Sequence, residues 1–208
     1  MSKHIAVLVS GGGTNLQALI DAQARGELIN GEITAVISSN PGAYALERAA
    51  KAGIPGYVVA RKEFPSSQAM TAALVEQLRA LDIDLVVLAG FMVILTGELV
   101  RAFPTAILNV HPALIPSFCG AGYYGLHVHE AALAYGVKLT GATVHFVNEE
   151  PDGGPIVLQR AVEILEGDTP EVLQRRVMEQ AEWHILPQAV SLFCEGRLCV
   201  EGRIVHIL

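Results

Sequence analysis

Uninterrupted apolar runs alternate with amphipathic stretches through the first half of the chain. The runs are rich in Val, Ile, Leu and Ala, which predicts strands buried on both faces of a sheet, at residues 5–9, 33–37, 57–59, 85–89 and 107–111. The stretches between them carry apolar residues at helical spacing and predict helices over residues 15–23, 43–52, 67–81 and 98–102. This alternation predicts an α/β fold with a doubly wound, mostly parallel (Rossmann-like) sheet flanked by helices.

The pattern changes in the second half of the chain. Apolar runs at 143–147 and 155–159 are joined by a short loop rich in Pro, Gly and acidic residues, so we expect mixed or antiparallel strands at one sheet edge. The sequence Asp168-Thr169-Pro170-Glu171 supplies an N-cap candidate before a long helix that runs to about Cys194. A turn centred on Glu201-Gly202 predicts a terminal hairpin.

Composition narrows the functional classes. The chain has 208 residues, of which 51% are hydrophobic and 17% charged, and we expect residues 1–208 to form a single domain. The net charge of −7 argues against a nucleic-acid partner. No apolar stretch approaches the ~20 residues that a bilayer requires, and a strand follows the first residues, so we expect neither membrane segment nor leader. Three cysteines without a CxxC pair indicate reduced thiols and a cytoplasmic protein.

The strand at 107–111 ends in a pair of polar side chains. Residues two apart on a strand share a face, so Asn109 and His111 should lie side by side, and Pro112 should end the strand directly after them. Ligands of open α/β sheets bind at the carboxyl ends of the strands. A donor and a titratable base at this position suit a reaction that builds an oxyanion. The alternative is a structural histidine beside a turn residue.

A glycine-rich loop, Ser10-Gly-Gly-Gly-Thr-Asn15, follows the first strand. Its candidate phosphate-binding residues are Gly12, Gly13, Thr14 and Asn15, because glycines bring backbone amides close to an anion at a helix N-terminus. The loop is neither a Walker A sequence nor GxGxxG, since Leu16 occupies the place of the third glycine. No acidic residue ends the second strand, which argues against an NAD oxidoreductase and favours a phosphate monoester. A turn that binds nothing is the alternative.

Three further segments carry candidate chemistry. Asp152 lies in a Pro-Asp-Gly-Gly-Pro turn. If it faces His111, it would raise the pKa of that histidine and complete an acid–base pair. If it does not, Asp152 is an ordinary turn residue. Residues 91–95 would line an apolar slot for a flat ligand or simply pack in the core. Residues 117–124 resemble a mobile lid. His127 and His129 lie two residues apart and could bind a metal ion, but no cysteine or carboxylate cluster shares their spacing, so we expect no metal.

Taken in order, five segments resemble the folate-dependent formyltransferases, and among them the phosphoribosylglycinamide formyltransferases. They are Ser10-Gly-Gly-Gly-Thr-Asn-Leu-Gln17, Leu88-Ala-Gly-Phe-Met92, Leu108-Asn-Val-His-Pro-Ala-Leu-Ile-Pro116, Thr143-Val-His-Phe-Val147 and Asp152-Gly-Gly-Pro155. The resemblance implies transfer of the formyl group of 10-formyltetrahydrofolate, a co-substrate, to the amine of 5-phosphoribosylglycinamide in purine synthesis.

The resemblance also implies roles for individual residues. Asn109, His111 and Asp152 would be catalytic, and the glycine-rich loop would hold the ribotide phosphate. The folate would contact Asn109 and the segment Phe91, Met92, Val93, Ile94 and Leu95. His145 would lie close to the catalytic group and Glu182 would meet the substrate amine. The chain departs from relatives at Val93, where many have arginine, and by one residue inserted before Glu182.

Other functions remain as alternatives. A formyltetrahydrofolate hydrolase would use the same donor but would have no need of a phosphate-binding loop. A tRNA formyltransferase would need a second domain and a basic surface for RNA. A phosphometabolite-binding module would explain the loop but not Asn109, His111 and Asp152 together. The sequence does not set the oligomeric state, so a homodimer stays open.

Overall fold

A computed structural model describes residues 2–208, and nine strands of this part of the chain form one continuous sheet. The strands are β1 (Lys3–Val9), β2 (Gly31–Ser38), β3 (Gly56–Val58), β4 (Leu85–Leu88), β5 (Ile107–His111), β6 (Leu139–Phe146), β7 (Ile156–Glu163), β8 (Leu198–Glu201) and β9 (Ile204–Ile207). Their order in the sheet is β3-β2-β1-β4-β5-β6-β7-β9-β8.

The sheet has a parallel half and a mixed half. Strands β1 to β5 pair in parallel, as their unbroken apolar runs predict. β6 is antiparallel to β5 and β7 is antiparallel to β6, which confirms the predicted mixed pairing. The terminal hairpin β8–β9 extends the sheet, because β9 pairs in parallel with β7.

Helices cover both faces of the sheet, which confirms the predicted fold class. They are α1 (Thr14–Ala24), α2 (Tyr44–Lys51), α3 (Ser67–Ala80), α4 (Gly97–Ala102), α5 (Leu126–Tyr135), α6 (Pro170–Val177) and α7 (Trp183–Cys194), with a 3₁₀ turn at Arg61–Glu63. Buried residues of α1, α2, α6 and α7 join one core cluster, and those of α3 and α4 join the other. Each face of the sheet therefore has its own apolar core.

The order of the strands creates a switch point between β1 and β4. From β1 the chain builds outward through β2 and β3, then α3 crosses to the opposite face and β4 pairs with the free side of β1. The loops that leave the carboxyl ends of β1 and β4 thus diverge to opposite faces. In open α/β sheets such a crevice is where ligands bind.

The predicted long helix is interrupted by a π-helical turn, Met178–Glu182, that links α6 directly to α7. Thr169 caps its start by accepting a hydrogen bond from the amide of Val172, and Pro170 follows in the first turn. A π turn holds one residue more than an α turn. One extra residue of this kind is what the expected insertion before Glu182 would require.

The second half differs from the predicted elements at α5, at the start of β6 and at the end of β7, which runs four residues beyond the predicted residue 159. Helix α5 follows the lid segment and was not predicted. Strand β6 begins at Leu139, four residues before the predicted start. The sequence does not predict these first residues because Gly141 weakens the strand pattern there. Within residues 2–208, no helix has both the length and the hydropathy to cross a membrane.

Candidate active site

Three strand ends define the candidate site. The glycine-rich loop leaves β1, residues 89–96 leave β4, and Asn109 and His111 occupy the end of β5. These strands are neighbours in the sheet, so their carboxyl ends share one edge. Asp152 reaches the same edge from the loop between β6 and β7. Residues far apart in the sequence therefore meet at the switch point.

Asn109, His111 and Asp152 form one cluster. His111 Nδ1 lies 3.5 Å from one carboxylate oxygen of Asp152, and Asn109 Nδ2 lies 3.5 Å from the other. The β5–β6 register places His145 opposite Asn109, and Asn109 Nδ2 lies 3.1 Å from His145 Nε2. His145 Nδ1 contacts the carbonyl of Phe146, which can only accept, so in the neutral ring Nε2 accepts from Asn109. His145 thus orients the Asn109 amide.

Tight turn geometry places the Asp152 carboxylate. Asp152 has a φ of 53°, and a Cβ at Gly154 would collide with the carbonyl oxygen of Phe146, so only glycine fits there. The amide of Gly120 donates to Asp152 at 2.8 Å. Burial opposes ionisation of the carboxyl, but the neighbouring histidines and this amide hold the pKa of Asp152 below its ordinary value. The cluster therefore contains a carboxylate at neutral pH.

His111 is only 4% exposed, and its pKa corrects one expectation. Burial lowers the pKa of His111 below its ordinary value, and the opposing charge of Asp152 and the Phe118 carbonyl do not compensate. Asp152 does raise the pKa of His111, as the sequence suggested, but burial outweighs this contribution and the net shift is downward. Nε2 donates to the Phe118 carbonyl at 2.8 Å, which leaves Nδ1 facing Asp152. The lid segment thus contacts two of the three catalytic candidates, His111 through the Phe118 carbonyl and Asp152 through the Gly120 amide.

The glycine-rich loop presents the N-terminus of α1. Gly13 caps this helix with a φ of 70°, and a Cβ there would lie 2.6 Å from the Cβ of Ala45. No side chain caps the first turn of α1. Arg48 fixes the loop from outside by donating to the Gly12 carbonyl at 2.8 Å. Open amides at a helix N-terminus, fixed in place, can bind an anion.

Glu182 lies against the same loop. Its carboxylate accepts a hydrogen bond from Asn15 Nδ2 at 2.6 Å, and Thr14 contacts Met178 in the π turn at 3.6 Å. Burial raises the pKa of Glu182 to about 7, against the opposing hydrogen bond from Asn15. The π turn thus brings Glu182 to the phosphate-binding candidates. The oxygen Asn15 Oδ1 is buried without a partner in the described chain.

The segment after β4 alternates between buried and exposed positions. Phe91, Val93 and Leu95 pack against the core on the α3 face, while Met92 is 54% exposed and Ile94 is 85% exposed. Core packing therefore accounts for three of the five folate-binding candidates in this segment. The other two are open to contact by a ligand.

The two histidines considered for metal binding lie on different sides of α5. His127 is exposed and pairs with Glu130 at 2.8 Å, whereas His129 is fully buried with neither ring nitrogen hydrogen-bonded in the described chain. Burial and nearby His111 lower the pKa of His129 to about 4. Among residues 2–208, no three His, Cys, Asp or Glu side chains are grouped to hold a metal ion.

Sequence reasoning missed three contributors to the site. Phe118 and Gly120 act through their backbone, which leaves no signal in side-chain chemistry. The Ser10 hydroxyl contacts both the segment after β4 and the end of β2. A serine that opens a glycine-rich loop gives no hint of such a contact.

Known proteins share this fold over its whole length. The formyl transferase family model matches residues 3–190. The chain is 44% identical to phosphoribosylglycinamide formyltransferase of Haemophilus influenzae, over 99% of this chain and 93% of that protein. It superposes on glycinamide ribonucleotide transformylase 1 of Symbiobacterium toebii with a TM-score of 0.94 and 48% identity, over 100% of this chain and 94% of the other. Formyltetrahydrofolate deformylase of Burkholderia mallei gives a TM-score of 0.86 and 27% identity, over 100% of this chain and 70% of the other. The chain belongs to the formyl transferase family.

Proposed function

We propose that this chain transfers the formyl group of 10-formyltetrahydrofolate to the amine of 5-phosphoribosylglycinamide, a step of purine synthesis. One observation carries the proposal: the cluster of Asn109, His111 and Asp152 lies at the same sheet edge as an open helix N-terminus. The cluster suits acyl transfer and the helix end suits a phosphate ester. Because one sheet runs unbroken from β3 to β8, we treat residues 1–208 as a single formyltransferase domain.

The two substrates would bind on either side of the cluster. The ribotide phosphate would bind the amides around Gly13, Thr14 and Asn15, with Glu182 facing the acceptor. The folate would lie on the exposed side chains of residues 91–95 and reach Asn109. The formyl carbon and the amine would then meet beside His111 and Asp152.

The chemistry follows from these positions. The amine nitrogen bonds to the formyl carbon, and the carbonyl electrons move onto oxygen as an oxyanion. One hydrogen of Asn109 Nδ2 is held by His145, and the weaker contact of Nδ2 with Asp152 at 3.5 Å must open for the other hydrogen to donate to this oxyanion. Collapse of the intermediate breaks the bond to the folate nitrogen, which takes up a proton while the attacking nitrogen loses one.

His111 and Asp152 would manage these protons. His111 Nε2 carries a hydrogen that now binds the Phe118 carbonyl, so this carbonyl must give way before the ring donates to substrate. As a proton reaches the ring, the neighbouring Asp152 carboxylate stabilises the imidazolium. No step of this mechanism calls for a metal.

A transfer assay tests the proposal. Purified protein is mixed with 10-formyltetrahydrofolate, with and without phosphoribosylglycinamide, and both deformylated folate and formylated ribotide are measured. We expect equal amounts of the two products, and no turnover without the ribotide. Release of formate without ribotide would instead assign the chain to the hydrolases, which the similarity to a deformylase makes the second candidate.

A further inference from the structure

The Ser10 hydroxyl lies where two loops diverge. Ser10 follows β1 and opens the glycine-rich loop, and its hydroxyl accepts a hydrogen bond from the amide of Met92 at 2.8 Å. The same hydroxyl lies 2.6 Å from the hydroxyl of Ser39, the residue that directly follows β2. One side chain thus connects the loops that leave β1 and β4 at the switch point. None of the chemistry described above uses it.

The segment after β4 depends on few such tethers. Between β4 and α4 the backbone forms neither helix nor strand, and its outer side chains Met92 and Ile94 are exposed. Its start is held by the amide of Ala89, which donates to the Leu8 carbonyl, and its end by the amide of Thr96, which donates to Thr71 Oγ1 at 3.2 Å. The bond from Met92 to Ser10 fixes the middle. It is also the tether that leads to the glycine-rich loop.

We propose that Ser10 is a positioning residue that couples the two substrate sites, an inference that rests on the proposed function. A phosphate bound to the amides of the glycine-rich loop further restrains Ser10, which then holds Met92 and its neighbours ready for the pterin. A folate on the segment fixes Ser10 in the reverse direction. Since binding free energies are reciprocal, each substrate must tighten the other by the same factor. Coupling carried by one hydrogen bond cannot exceed the strength of that bond, so the factor should be at most roughly twelve.

Calorimetric titration measures this coupling without turnover. The probes are phosphoribosylglycinamide and tetrahydrofolate, which has no formyl group to transfer. The dissociation constant of each is measured alone and with the other at saturation, for the wild type and for Ser10→Ala. We expect mutual tightening in the wild type and a ratio near one in the variant. Ser10→Thr keeps the hydroxyl and should restore the coupling.

Ser39→Ala is the matched control. It removes the other hydroxyl partner of Ser10 but leaves the bond to Met92, so the coupling should persist. If Ser10→Ala does not fold, as judged by circular dichroism, Ser10→Cys preserves the shape with a much weaker acceptor and should lose the coupling likewise.

The outcomes separate this inference from the function on which it rests. A wild type that binds neither probe would remove the proposed function. A wild type that binds both probes, but without coupling or with coupling that survives Ser10→Ala, would overturn the role of Ser10 alone. Coupling that disappears in Ser10→Ala and survives in Ser39→Ala would support it.

Discussion

The two halves of the candidate site are built in different ways. The phosphate side consists of consecutive residues, a glycine-rich loop and the first turn of α1, and acts through backbone amides. The catalytic side assembles side chains from β5, from β6 and from the loop before β7, and a separate lid segment closes it. A contiguous backbone site resists most substitutions, whereas a cluster gathered from distant segments fails when one side chain is lost. Substitutions on the two sides should therefore have different effects.

Loss of His111 or Asp152 should give the largest effect. We expect His111→Ala and Asp152→Asn each to lower kcat about 10²–10⁴-fold, because positioned proton transfer contributes about that much. KM for the ribotide should change little, since neither residue touches the glycine-rich loop. Steady-state kinetics measure both constants. His206→Ala and Glu163→Gln, on exposed parts of the sheet, are the controls and should keep full activity.

Asn109→Ala should give the next largest effect. The variant loses an oxyanion donor, which costs about 3–4 kcal/mol in the transition state, or a factor of about 10²–10³ in kcat. A loss confined to KM for the folate would instead make Asn109 a binding residue. Asn109→Asp keeps the shape but replaces the donor with a carboxylate beside Asp152, so it should lower kcat at least as much as Asn109→Ala.

Glu182 should make stability depend on pH. Its pKa is about 7 in the folded protein and near 4.5 in the unfolded chain, so the folded state binds more protons between these values. The protonated carboxyl therefore contributes on the order of 3 kcal/mol to the free energy of unfolding. This contribution is complete below about pH 4.5 and is lost as the pH rises to about 7. Urea denaturation of the wild type and Glu182→Gln across this range measures the difference. A difference that is constant with pH would show that Glu182 is ionised throughout.

Gly13→Ala should give the smallest effect and tests how closely the backbone of the phosphate side is packed. The new Cβ would meet both an unfavourable φ of 70° and the Cβ of Ala45, so we expect a loss of about 2–3 kcal/mol of stability and weaker ribotide binding. Gly26 has a φ of 73°, and a Cβ added to it would have no other group within 4 Å. Gly26→Ala should therefore cost only about 1 kcal/mol, the backbone contribution. Equal losses would contradict the close approach to Ala45.

Local features of the site could be predicted from the sequence, whereas contacts between distant segments could not. The parallel strands, the glycine-rich loop and the pairing of Asn109 with His111 all follow from local patterns of period two or 3.6. The distance between Asp152 and His111 does not, because 41 residues separate them and only the β5–β6–β7 pairing brings them together. The pKa of His111 could not be predicted because it depends on how deeply the ring is buried. The contacts of Phe118 and Gly120 could not be predicted because they depend on the path of the loop. Helix α5 went unpredicted because its apolar residues form only a weakly amphipathic pattern.

The measurement that tests the account most directly is a double-mutant cycle between His111 and Asp152, with single-turnover rates of formyl transfer as the readout. If the two side chains act as one acid–base unit, the double variant His111→Ala, Asp152→Asn should react no more slowly than the slower single variant. Losses that multiply in the double variant would mean that the two residues act independently, and would contradict the catalytic cluster.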